Sequence, residues 1–148
     1  MQQRNNRVVG FGLAVVAFLI ALPLPWLVFR GRPPGPWPSG FPLTVTSMNG
    51  AIFGIPIWVL LTVSLVTTVI CALNWLEISS IPRAPILIVH VLTALCYLWP
   101  LATKIMHPSQ VDVKLGPLAA LIGSYLVIRL HLTPSSSERP AIRGQVGA

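Results

Sequence analysis

Charged residues divide this chain into long apolar runs. A helix rises about 1.5 Å per residue, so about 20 apolar residues cross a hydrocarbon layer of roughly 30 Å. Four runs meet that length. The first, residues 8–29, is bounded by Arg7 and Arg30. The second lies within the uncharged stretch Pro33–Leu76, whose opening part, Pro33–Pro42, holds five prolines and two glycines and cannot be helical. A span over residues 50–76 follows, with Ser47 or Asn49 as its N-cap. The third covers 85–103, with Pro85 at the first helical position, and the fourth 116–132, with Pro117 near its start and Arg129 snorkelling to the interface.

The pattern predicts an all-α integral membrane protein: four transmembrane helices in an antiparallel up-down bundle over residues 1–132. A Pro-rich outer loop covers residues 30–48, and residues 133–148 form a flexible or partner-bound tail. Residues 77–84 make a tight turn, so spans two and three are expected as neighbours. Four spans put both termini on one side. With that side cytoplasmic, it carries Arg4, Arg7, Arg83, Arg129, Arg139 and Arg143, against Arg30, Arg32, Lys104 and Lys114 outside. The bias favours cytoplasmic termini in an inner or plasma membrane. Trp26, Trp58 and Trp99 are expected in an outer aromatic belt and Trp75 in the inner one.

Composition sharpens the class. Of 148 residues, 54% are hydrophobic and 9% charged, about a third of the charge of a soluble domain. Mean hydropathy is +0.77. The net charge of +7 comes from cations scattered in ones and twos at the ends of apolar runs. That arrangement anchors helix ends at lipid headgroups and speaks against nucleic acid as a partner. Cys71 and Cys96 both lie in apolar runs and read as small hydrophobes. Small residues four apart, at Gly50/Gly54, Ala17/Ala21, Gly116/Ala120 and Ala119/Gly123, mark candidate helix–helix seams.

Candidate chemistry is sparse. No Asp or Glu lies in the middle of a span, which argues against a self-sufficient proton-driven transporter. His90, inside span three, and His131, at the end of span four, are placed at similar depth. A haem or a chlorophyll-type pigment is the cofactor such a pair would ligate, although no cofactor is the first expectation. Glu77, Arg83 and Arg129 are candidates for an interfacial cluster able to hold a quinone headgroup or a lipid phosphate. Ser64, Thr67 and Thr68 give span two a polar face. Motifs for hydrolases, metalloproteases, thiol redox sites and phosphate loops are lacking.

The four-span layout with a Trp-bearing first outer loop resembles claudin-like proteins in architecture alone, because that loop carries no cysteine. The function expected is a non-catalytic accessory or scaffolding subunit of a larger membrane complex, an energy-transducing one (respiratory or photosynthetic) among the candidates. Its partners are membrane lipids and other membrane subunits, engaged through Trp37, Arg139 and Arg143. The alternatives are a haem-, pigment- or quinone-binding anchor using His90, or a small transporter or channel.

Overall fold

The computed structural model describes residues 2–30, 44–76 and 81–132. Trp37, Glu77, Arg139 and Arg143, together with the expected tail 133–148, lie outside them. The described part is mostly helical, with α1 (Gln2–Ala21), α2 (Ile57–Trp75), α3 (Arg83–Tyr97), α4 (Trp99–Met106) and α5 (Leu115–Leu132). Three stretches are long and apolar enough to cross a membrane: Ile57–Trp75, Arg83–Met106 and Leu115–Leu132. The apolar part of α1, Asn5–Ala21, is shorter.

The helices form a ring in which α1 packs on α5 and α2, and α3 packs on α5 and α2. Neighbours run in opposite directions, because the chain leaving α1 pairs with strands that lead into α2 and α5. At the other end Arg7, opening α1, meets Trp75, closing α2. The buried positions recur at alternating spacings of four and three. They are Arg7, Phe11, Ala14, Phe18 and Ala21 on α1, Ile57, Leu61, Ser64, Thr68 and Cys71 on α2, where Leu60 is buried beside the repeat, and Ile86, His90, Thr93 and Tyr97 on α3. That 3.5-residue repeat is the seam of helices packed knobs-into-holes.

The all-α expectation needs correction. Among the described residues five short strands lie at one end: β1 (Leu27–Phe29), β2 (Thr44–Val45), β3 (Ala51–Ile52), β4 (Ile55–Pro56) and β5 (Val111–Val113). They form an antiparallel sheet ordered β2-β1-β5, with Leu27 opposite Val45 and Val113, and a separate β3–β4 hairpin.

Boundaries shift for local reasons. The helix expected to reach Phe29 stops at Ala21, since Pro23 and Pro25 donate no backbone hydrogen bond and disfavour helix at the residue before each. Span two begins at Ile57, capped by Pro56. The Gly50/Gly54 pair therefore lies in the strand region and not on a helix face. The Ser47 hydroxyl does not cap that helix but donates to the Leu22 carbonyl at 2.6 Å, while the Ser47 carbonyl accepts from the Trp58 amide in its first turn at 3.1 Å; Asn49 accepts from the Thr46 amide at 2.7 Å. The third helix starts at Arg83, which puts Pro85 third in the first turn, where amides lack helical partners anyway. Pro100 breaks the ladder between α3 and α4.

Trp26 joins bundle to sheet. Its backbone amide donates to the Val45 carbonyl at 2.7 Å, its carbonyl accepts from the Lys114 amide at 3.1 Å, and its indole donates to the Ala21 carbonyl at 3.2 Å. That last bond satisfies an orphan carbonyl at the end of α1. The ring meets Tyr97 edge-on, with centroids 5.6 Å apart. Trp26 is fully buried, a correction to its expected place in the outer belt. Trp58 and Trp99 are exposed at that end, 45% and 37%.

Candidate functional site

Four groups of side chains carry polar or ligand-binding chemistry. The first is a polar layer inside the bundle, where the face foreseen on α2 packs against α3. The Ser64 hydroxyl shares a hydrogen bond with the Tyr97 hydroxyl at 2.8 Å. Thr68 donates to the Ser64 carbonyl at 2.6 Å, and Thr67 to the Val63 carbonyl at 2.7 Å. With its proton so used, the Thr67 oxygen accepts from His90 Nε2, 3.0 Å away. This fixes the Nε2–H tautomer of His90. Nδ1 then has only a lone pair to offer, and it finds no hydrogen-bond partner in the bundle. The His90 ring is fully buried and stacks on Phe18, with centroids 6.3 Å apart and planes 26° apart.

His131 is held differently. Its Nδ1–H donates to the Val127 carbonyl at 3.2 Å, one turn back on α5. Nε2 is thereby left as the acceptor facing the Cys71 thiol, 3.7 Å away. The two histidines foreseen as a ligand pair thus have separate partners, Thr67 for one and Cys71 for the other. No group of three or more His, Cys, Asp or Glu among the described residues is placed to hold a metal.

The second group lies at the end remote from the sheet. The Arg7 guanidinium sits 3.9 Å from the centroid of the Trp75 ring, and that of Arg83 5.2 Å. Cations over an indole face are held by its quadrupole. Arg83 thus shares the Trp75 ring with Arg7; Glu77, the carboxylate of the expected cluster, lies outside the described residues.

At the sheet end, a third group links two connecting segments. Arg30 Nε donates to Asp112 at 2.8 Å and Lys104 Nζ to its other oxygen at 3.4 Å. The Arg30 bond is the chief cause that holds the Asp112 carboxyl below the ordinary carboxylate range, and Lys104 adds to it. Two cations share one carboxylate, leaving a local excess of positive charge.

Fourth, beneath the sheet lies a cavity of about 390 Å³. Trp26, Phe29, Ile52, Ile57, Pro100 and Met106 supply apolar wall, and Asn49, Thr103 and His107 are its polar members. This volume is in the range of small-molecule pockets. Hydropathy and motif give no sign of it, because its walls come from three separate segments, 26–29, 45–57 and 99–107, that meet only in the fold.

The chain matches no protein-family model, no curated protein and no solved structure. The class the fold defines is a mostly helical protein with three helices able to cross a membrane, a shorter fourth, and a small sheet at one end.

Proposed function

We propose that the protein is a four-span integral membrane protein with cytoplasmic termini, serving as a non-catalytic accessory or scaffolding subunit of a larger membrane complex. Support for the membrane reading comes from an inversion of polarity. Ser64, Thr68, His90, Thr93 and Ser124 are buried among the helices, whereas Val9, Leu13, Val66, Ile88, Leu95, Leu118 and Ile122 are exposed on them. Water would favour the reverse, while lipid demands this arrangement. The apolar part of α1 falls a few ångströms short of the usual hydrocarbon thickness, which local thinning accommodates. Arg7 and Arg83 lie at one end and Arg30 and Lys104 at the other; the proposal that the first end is cytoplasmic rests on the cation count of the whole sequence, six against four.

The observation that carries the subunit reading is Phe53. It occupies the first turn position of the β3–β4 hairpin at φ 51°, followed by Gly54 at φ 80°. This is a type I′ turn, which favours Asn-Gly. A bulky residue there costs roughly 1–2 kcal/mol, yet its ring is 69% exposed even while resting on Trp99, 4.9 Å between centroids. Strain retained to display an aromatic side chain points to a contact surface. Met48 and Ile105, exposed 73% and 80%, extend the apolar surface of this end.

The haem or pigment alternative fares worse, because His90 Nδ1, the ring atom with a lone pair to offer, lies on a fully buried ring stacked on Phe18, so a macrocycle would have to part the helices to reach it. The channel alternative fares worse too, because the α2 hydroxyls are spent on carbonyls and on Tyr97.

Gentle extraction followed by mass spectrometry of co-migrating proteins tests the reading. Phe53→Asn relieves the turn strain, so it should raise thermal stability while lowering recovery of partners. Trp37→Ala and a chain ending at Thr133 test the other proposed contacts. Unchanged partners in all three variants refute these contacts, and the absence of any stoichiometric co-migrating protein refutes the subunit role. Cysteine labelling at Ser39 and Ser109, after replacing Cys71 and Cys96, should succeed from the same side.

A further inference from the structure

We propose that the cavity beneath the sheet binds a single acyl chain carrying an anionic head, either a fatty-acid carboxylate or a lysolipid phosphate. The inference rests on the membrane-spanning reading and is independent of the subunit role.

Polarity of the walls selects the tail. The polar groups among them are mostly engaged already. Asn49 accepts from the Thr46 amide and donates to the Thr44 carbonyl, at 2.7 and 3.1 Å. Thr103 donates to the Trp99 carbonyl at 3.0 Å, and the Trp26 indole to Ala21. Water needs two to four polar partners to settle, and an apolar cavity of even about 150 Å³ stays dry and takes up hydrocarbon. This cavity, at about 390 Å³, holds a tail of about a dozen carbons at roughly 30 Å³ per water-sized group.

Route and head follow from α4. One side of this helix lines the cavity with Trp99, Pro100, Thr103 and Met106. Leu101 and Ile105 are exposed, 40% and 80%, so the helix stands between cavity and bilayer. His107, just beyond its end, is the lining residue whose side chain carries no hydrogen bond among the described residues. Lys104 lies three positions before it and with Arg30 outnumbers the charge of Asp112. An anionic head placed beside His107 meets that positive excess, while a neutral head gains nothing from it.

The test uses the full chain in phosphatidylcholine vesicles and lauric acid bearing a terminal diazirine, with the crosslinks mapped by mass spectrometry. Saturable labelling is expected at Ile52, Ile57 or Met106. Excess laurate or lysophosphatidic acid should lower it at least tenfold, and the stronger competitor identifies the source of the head. Thr103→Phe fills the cavity and should abolish that labelling, leaving the lipid-facing labels on α2 and α3 intact. Should that variant misfold, His107→Ala should weaken competition by both acids. Dodecanol competing as well as laurate overturns the proposal, as does non-saturable labelling. Labels on the helices with none in the cavity overturn it alone; no label anywhere overturns the membrane reading as well.

Discussion

Gly123 should resist substitution more than any ordinary glycine in a helix. A Cβ built there would lie 2.9, 3.0 and 3.1 Å from Cζ, Cε1 and Cε2 of Phe18. Carbon atoms prefer about 3.5–4.0 Å, so the ring must retreat by roughly half an ångström. It has little freedom to do so, being 1% exposed and stacked on His90, which is itself tied to Thr67. Overpacking of this kind costs about 1–3 kcal/mol, and replacing glycine by alanine in a helix returns up to about 1 kcal/mol. With the ring locked, Gly123→Ala should lose about 1–2 kcal/mol. Reversible unfolding in mixed micelles, followed by tryptophan fluorescence, measures it. Phe18→Leu removes the clashing atoms, so the double variant should be more stable than the sum of the singles by about 1 kcal/mol or more. Gly12→Ala is the control, because a Cβ placed there meets no atom within 4 Å. If Gly123→Ala matches Gly12→Ala, or if the two changes at the seam add without coupling, the packing argument is wrong.

Ser124 buries a hydroxyl with no hydrogen-bond partner among the described residues, so Ser124→Ala should stabilise by about 1 kcal/mol in the same assay, the desolvation cost of that group being removed. Asp112 has its pKa depressed below the ordinary 3.8; its contribution is therefore complete above that value and declines as pH falls through the lower, folded-state pKa. Hydrogen exchange at the Arg30 amide, bonded to Gln110, should accordingly hold steady from neutral pH to about 4 after correction for intrinsic rates. Protection should fall below that, and Asp112→Asn should lack this acid limb. His90→Leu should preserve folding and leave the absorption spectrum unchanged. Loss of a visible chromophore on that substitution would instead promote the pigment or haem reading.

Hydropathy made the last helix legible almost to the residue, 116–132 against Leu115–Leu132, and placed the third span within three residues at either end of Arg83–Met106, while missing its division beside Pro100. It failed at the sheet end for a physical reason. Strands of two or three residues are too short to show an alternating period, and Leu27 is fixed by partners at Val45 and Val113, far away in sequence. Pro23 and Pro25 carry the signal for the end of α1, but apolar length outweighs them when the run is read by hydropathy. The α2 seam was legible from its hydroxyls. Its partners Tyr97 and His90 were not, since the choice of facing residue depends on helix rotation.

The inversion of polarity explains why the candidate site was harder to read than the spans. In a water-soluble protein the apolar stripe points inward and names the core. Here large apolar side chains cover the outward faces as well, and the inward positions mix Phe11, Phe18 and Leu61 with small or polar residues: Ala14, Ala21, Ala120, Gly123, Ser64, Thr68. Small inward residues let α1 and α5 approach until Gly116 and Gly123 touch Trp26 and Phe18. Trp26 can therefore be fully buried at the junction while it bonds Val45 and Lys114 through its backbone. A single side chain thus couples the helix seam to the sheet and also lines the cavity. Any change that loosens the α1–α5 approach should consequently reach the cavity through Trp26, although no helix-seam residue from Phe11 to Phe18 lines it.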